Sequence, residues 1–235
     1  LMLISNEIMI KPPKDYYIFK KYIQDEKNTI GDYFYFFLRI PLNIAEWFLR
    51  NLPGPVGIIL RRYYYKIFLK KVGKNVIIGE GVYFHGNNIE LDDWSFIDKN
   101  CMITCISHVK VGKRVHLGIG TIIHAGLESE IIIDDNSGIA ARCSLYSASN
   151  AYARDKRMSG PMAKENHVHT KYGKILIEKD CFIGVGSIVL PNVKIGFASI
   201  IPPGAVIKKN LQEKGIYDVK GDLISKRIFD EKKYY

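Results

Sequence analysis

Between Val72 and Ile207 the apolar positions recur with a period of six. They fall into triplets: Val72, Ile78 and Phe84; Leu91, Ile97 and Ile103; Val111, Leu117 and Ile123; Ile133, Ile139 and Leu145; Ile177, Ile183 and Val189; Ile195, Ile201 and Ile207. Spacing holds within each triplet and varies between triplets, as if residues were inserted only at corners. Six is a multiple of the strand period of two, so every triplet position can face one interior, whereas a helical period cannot generate the pattern. Four residues after these positions the side chains are mostly small: Ser95, Cys101, Ser107, Val115, Thr121, Ser137, Cys143, Ser149, Cys181, Ser187, Val193, Ser199 and Ala205. The pattern predicts a mainly β chain wound as a triangular coil of about six turns, with an aliphatic stack inside and small residues where corners crowd. Successive turns would stack at ~4.8 Å. A β-sandwich would show turn signals every 8 to 12 residues or thereabouts, and the strict sixes argue against it.

Residues 13 to 71 read as helical, with Pro53-Gly54-Pro55 separating two helices and Pro55 suited to a first helical turn. The second stretch, residues 56–71 (VGIILRRYYYKIFLKK), is basic, aromatic and free of acidic residues. Two readings of it stay open: an interfacial helix on an anionic membrane, or a helix packed on the end of the coil. After residue 207 the pattern predicts a turn and a short basic helix. The chain thus divides into a helical segment (1–71), a coil domain (72–210) with a long excursion loop (150–173), and a tail (211–235). The first apolar stretch is short, carries Glu7 and lacks a small-residue cleavage site, so no signal peptide is read. Tyr33 to Leu60 is broken by Arg39, Glu46, Arg50 and the Pro-Gly-Pro turn, and no membrane span is expected.

At 235 residues, 47% hydrophobic and 25% charged, the chain can bury a core. A formal net charge of +10 points to an anionic partner. Nucleic acid is not expected, because the basic residues cluster beside the apolar helix and tail without a recognised motif. Cys101, Cys105, Cys143 and Cys181 show no CxxC pairing, so neither a zinc ribbon nor a disulfide framework is supported. A reducing, cytoplasmic setting fits, on the inner face of the membrane if the basic helix binds lipid.

The segment CFIGVGSIVLPNVKIGFASIIPPGAVIKKNLQEKGIYDVKGDLISKRI resembles the usual ending of the hexapeptide-repeat acyltransferases, in particular the sugar O- and N-acetyltransferases of surface-polysaccharide synthesis, and the likeness covers roughly residues 72 to 228. It departs at Val219-Lys220-Gly221-Asp222, where the family commonly carries Gly-Val-Pro-Ala. The resemblance implies a left-handed parallel β-helix, a homotrimer, and acetyl-CoA as co-substrate in the groove between neighbouring chains, with a sugar or nucleotide sugar as acceptor. Carried over, the groove includes Phe182, Gly184, Gly186, Ser187, Pro203 and Gly204, with Lys209 and Arg227 near the phosphates. Small residues let a pantetheine arm approach the backbone and cations offset phosphate charge.

Acyl transfer needs a base near the acceptor, a role histidine fills near neutral pH. Family members often place theirs just before the excursion loop, where this chain has Asn150. SASNAY with Ser159-Gly160-Pro161-Met162 resembles a subset whose segment like VHLGIGTIIHAGLE carries histidine, which moves the base to His116 or His124. A third candidate is His108, since His108, Glu128 and Asn150 each lie five residues after the last inward position of successive coils and should form one column. Asn150, Glu128, Tyr152, Pro161, Met162 and His167 are expected to meet the acceptor; a loop this long is usually functional. Two competing readings remain: a zinc hydratase resembling gamma-class carbonic anhydrases, using His108, His116 and His124, and a membrane-bound scaffold without activity. Histidines on different corners would not converge on one metal at ~2.1 Å.

Overall fold

The computed structural model describes residues 14–24, 26–150 and 170–233. From Lys71 onward the chain winds as a parallel β-solenoid whose short strands stack into three sheets. The first face holds six strands from Lys71–Val72 to Val193–Ile195. The third holds six from Tyr83–His85 to Val206–Ile207. The second starts at Ile77–Ile78 and reaches eight with the tail. All eighteen triplet residues lie inside and are buried, so about six turns enclose one aliphatic column.

The small residues that follow each inward position do more than relieve crowding. Ser137, Ser187 and Ser199 donate to the carbonyls of Glu178, Pro202 and Gln212 on the next coil, at 2.8 to 3.0 Å. Cys101, Cys143 and Cys181 place Sγ 3.1 to 3.2 Å from the carbonyls of Gly118, Gly184 and Gly196. A short polar tip thus satisfies a corner carbonyl that sheet pairing leaves over. Ser107 and Ser149 are the exceptions, only half-buried, because the third corner carries the insertions and register restarts there.

Three helices precede the solenoid, α1 (Lys14–Ile23), α2 (Ile30–Asn51) and α3 (Gly54–Phe68), one more than the two expected. The extra break has a local cause: Thr29 accepts from the Asp32 amide while Asp32 accepts from the Thr29 amide, a reciprocal cap that starts α2 afresh. The helix α3 packs on the first coil through Arg61 and Tyr65 and on the end of α2 through Gly57. A Cβ at Gly57 would stand 2.0 Å from the Leu52 carbonyl oxygen, so only glycine admits the approach of α3 to the end of α2. Arg61, 1% exposed, donates to the carbonyls of Ile78 at 2.9 Å, Leu49 at 3.0 Å and Leu52 at 2.6 Å. One cation of the basic stretch therefore ties α2, α3 and the first coil together and does not face outward.

The helix expected in the tail is instead a strand. Leu223–Lys226 pairs antiparallel with Gly215–Tyr217, and the only helical piece beyond it among the described residues is the 3₁₀ turn Glu231–Lys233. Asp218 accepts from the amides of Lys220 and Asp222 at 2.9 and 2.8 Å, and Gly221 adopts φ +80°, which folds the chain back. The tetrapeptide that departs from the family pattern is the turn of this hairpin.

Candidate functional site

The three candidate histidines lie on three different faces. His108 opens a strand of the first, His116 of the second, and His124 sits in the third within Ile122–Ala125. Alternation along each short strand sends the triplet residue inward and the histidine outward. They do not come together around one point, and among the described residues no group of three histidine, cysteine or acidic side chains could hold a metal ion. The zinc-hydratase reading has no site to work with there.

His108 is bound into a charge ladder. Its Nε2 is 3.2 Å from Glu90 and its Nδ1 3.6 Å from Glu130, while Lys70 holds Glu90 at 2.7 Å and Lys174 holds Glu130 at 2.5 Å. The Lys70 ammonium, aided by His108, keeps the Glu90 carboxyl below its ordinary range. The expected column of His108, Glu128 and Asn150 does not form. His108 pairs with Glu130, since the corner before Ile133 carries two more residues than the corner before Val111, and Glu128 is left in the turn at φ +50°. Asn150 leaves the solenoid altogether, in a strand Ala148–Asn150 that pairs antiparallel with Thr170–Tyr172 at the base of the excursion. Tyr152, Pro161, Met162 and His167 lie outside the described residues.

His116 stacks on Phe96 at 4.8 Å and 14° between planes, with its side chain half exposed and Nε2 3.6 Å from Asp98, too far for a hydrogen bond. His124 stands in a rung-by-rung column with His85, Thr104 and Tyr146. Its Nδ1 is 2.7 Å from Thr104 Oγ1, which is also 3.4 Å from the Ile123 carbonyl oxygen. Burial, with His85 two rungs away, lowers its pKa below the usual 6.5. The outward direction of His124 was legible from its place one residue after an inward position. The partner Thr104 was not, because cross-coil neighbours lie twenty residues apart and only the corner lengths decide who faces whom.

The expected groove residues from Phe182 to Gly204 gather at the corner between the second and third faces, where 184–187 and 202–205 join their strands. Gly186 and Gly204 take φ +70° and +73° one coil apart, and a Cβ at either would meet nothing within 4 Å. Around this bare strip Phe182, Val185, Ile188 and Val206 are exposed, which suits the close approach of a long, thin ligand to the backbone. Gly184 is different: a Cβ there would stand 2.4 Å from the Pro203 nitrogen, so it serves coil stacking. The Ser187 hydroxyl is spent on Pro202 and the Ala205 amide. Lys209 pairs with Asp222 of the hairpin turn. Arg227 donates to the carbonyls of Ala198 at 3.2 Å and Asp180 at 3.3 Å and lies 4.5 Å from the Phe229 ring centre. Neither cation stands at the glycine corner: Arg227 is held at the corner between the first and second faces, and Lys209 follows the last strand of the third.

A cleft of about 920 Å³ opens between α2, α3 and the first coil. Its lining includes Arg39, Asn43, Glu46 and Arg50 from α2, Tyr64 and Tyr65 from α3, and Tyr83 and His85 from the coil. His85 belongs to the same face as His124. The cleft was not legible in the sequence, where the polar residues of α2 stand as breaks in an apolar segment.

No family model matches the chain. Among curated proteins it is 31% identical over 146 residues to the dTDP-4-amino-4,6-dideoxy-D-glucose acyltransferase of Escherichia coli, covering 61% of this chain and 74% of that one. It is 25% identical over 142 residues to the galactoside O-acetyltransferase of Lactococcus lactis, covering 58% and 65%. Among solved structures it is similar to a variant of AntD, an N-acyltransferase from Bacillus cereus, in complex with dTDP and coenzyme A, at 27% identity and TM-score 0.67 over 76% of this chain and 92% of that one. A hexapeptide-repeat acetyltransferase of Vibrio cholerae with acetyl coenzyme A, at 15% identity, shares the fold over 90% of this chain with TM-score 0.56.

Proposed function

The chain belongs to the hexapeptide-repeat sugar acyltransferases, and from that premise we propose that it moves an acetyl group from acetyl-CoA to a sugar amine or hydroxyl with His124 as the general base. The observation that carries the assignment of the base is the contact between Thr104 Oγ1 and His124 Nδ1. With the threonine hydroxyl donating to the Ile123 carbonyl, its oxygen accepts the Nδ1 proton and leaves the Nε2 lone pair facing out. Burial keeps the imidazole neutral near pH 7, as a base must be.

The acceptor gives its proton to His124 Nε2 as its nitrogen or oxygen attacks the thioester carbonyl. The carbon–sulfur bond then breaks, and the imidazolium returns the proton to the departing sulfur. A backbone N–H at the glycine corner stabilises the oxyanion. Gly186 and Gly204 with Phe182 would border the pantetheine arm. No cysteine serves as a relay: burial pushes Cys101 to about 11 and Cys181 to about 12. Three chains associating side by side would supply the second wall of the groove, and residues 56–71 would give peripheral contact with a membrane.

Thr104→Val tests the base directly. It should lower kcat about tenfold to a hundredfold with little change in KM, and shift the acid limb of the pH–rate profile to lower pH, because imidazolium loses an acceptor. Thr104→Ser should restore both. A valine variant with unaltered kcat would remove His124 from the role.

A further inference from the structure

The helix α2 is amphipathic the wrong way round. Its polar stripe, Asp32, Arg39, Asn43, Glu46 and Arg50, turns toward the body of the protein: Asp32 is buried against Lys21, Glu46 accepts from Tyr65, and Arg39, Asn43, Glu46 and Arg50 line the cleft. The apolar stripe, Ile30, Tyr33, Phe37, Ile40 and Ile44, points away from it, with Phe37 68% and Ile44 62% exposed, and Trp47 at its edge reaches the rim of the cleft. An ordinary surface helix does the reverse, because an apolar sector belongs against a core.

A seam spaced by threes and fours could also be a contact between copies of this chain. Such a seam is narrow. Here Phe34, Leu38 and Phe48 on the far flank are exposed as well, and with Phe36 and Trp47 at the rim of the cleft the apolar sector covers more than half of the helix circumference. On α3, Val56, Ile59 and Tyr63 extend the same bare surface, with Arg62 and Lys66 beside them and no acidic residue, and Ile67 is exposed at the edge of the cleft. A broad sector rich in Phe, Tyr and Trp, flanked by cations, has the chemistry of a helix lying in the interface of an anionic bilayer. No helix among the described residues is long and apolar enough to cross one.

The cleft lies directly behind this surface. Arg50 stands 5.3 Å from the Tyr83 ring centre and Arg39 5.5 Å from that of Tyr35, so guanidinium groups and aromatic rims occur together in a space of ligand size. His85 in its lining is two rungs from His124 on the same face, a separation of ~10 Å at the usual strand spacing. The glycine corner lies on coils beyond His124, in the opposite direction along the axis. An acceptor entering from the cleft and a thioester entering from the corner would meet at the imidazole.

We propose that the acceptor is a glycan carried on a membrane lipid through phosphate: α2 and α3 lie in the bilayer interface, Arg39 and Arg50 receive the phosphate, and the sugar runs down the third face to His124. This deepens the acyl-transfer reading above and rests on it.

Flotation of the full chain with vesicles of phosphatidylcholine, with and without phosphatidylglycerol, tests the surface. The protein should float with the anionic vesicles, and Phe37→Ser/Ile44→Ser, which touches neither cleft nor base, should stay behind while keeping its fold by circular dichroism. Transfer of labelled acetyl is then compared on a polyprenyl-diphosphate-linked amino sugar in those vesicles and on a soluble nucleotide amino sugar. The wild type should favour the lipid-linked acceptor by about tenfold or more, and both Phe37→Ser/Ile44→Ser and Arg50→Gln should lose that preference. Equal use of the two acceptors overturns the proposal. So does failure to float, and a changed oligomer mass in the double variant would then identify the surface as a contact between copies. If His124→Ala leaves transfer to both acceptors intact, the base assignment fails instead, and the acceptor preference is read separately.

Discussion

His124→Ala lowers kcat for acyl transfer by about two to four orders of magnitude, the usual contribution of a positioned base, and leaves the melting temperature and the mass of the assembly as they were. The side chain points outward from the third face, so its removal opens no cavity in the aliphatic column. His116→Ala, by contrast, should stay within a few-fold of wild type. That ring is half exposed, stacked on Phe96 and too far from Asp98 to be oriented by it. His108→Ala should chiefly lower stability, since it removes the link between two carboxylates already held by lysines. Steady-state kinetics on the three variants decide the matter; a normal rate for His124→Ala together with a dead His116→Ala would reverse the assignment.

The pH dependence follows from the direction of the His124 shift. Burial first, and then the neighbouring His85, place its folded pKa below the ordinary 6.5, so the acid limb of kcat/KM falls below that value. For stability, the folded state binds fewer protons than the unfolded chain between the two pKa values. The contribution is therefore complete above 6.5 and is lost as pH falls through the folded value.

Arg61→Ala should cost about 3 kcal/mol or more of folding stability, measured as the midpoint of denaturant unfolding. The carbonyls of Leu49, Leu52 and Ile78 would lose their donor in a place closed to water, and a cavity would open where Tyr65 and Gly57 pack. The damage should be local in character: limited proteolysis would release the segment containing α2 and α3 ahead of the solenoid. Uniform cleavage across the solenoid would contradict the tethering role.

Most of the fold could be read from residue spacing because a solenoid repeats one local rule. On the first and second faces each inward aliphatic is followed three residues later by a backbone turn and four residues later by a small side chain, and the turn positions at Asn75, Trp94, Arg114, Asn136, Asp180 and Ala198 all take φ between 54° and 63°. Non-glycine residues adopt that left-handed conformation because coil pairing on both sides over-determines it. The site was less legible for the same reason. Which outward residues share a column depends on the corner insertions, so His108 was matched to Glu128 when it faces Glu130. The tail misled for another reason: a run of Lys and Arg with Leu and Ile suits a helix by composition, but Asp218 and Gly221 reverse the chain before one can form. The cleft escaped because its polar residues are scattered along α2 and only the helical wheel gathers them.

The inward cysteines give the molecule a built-in reporter. All four thiols are buried, and those of Cys105 and Cys181 are pushed up to about 12, so alkylating and disulfide reagents should find no target in the native protein. A cysteine introduced at an outward position of α2 would then be the sole site of labelling. An environment-sensitive dye placed there could follow the helix into a bilayer without any native cysteine having to be removed.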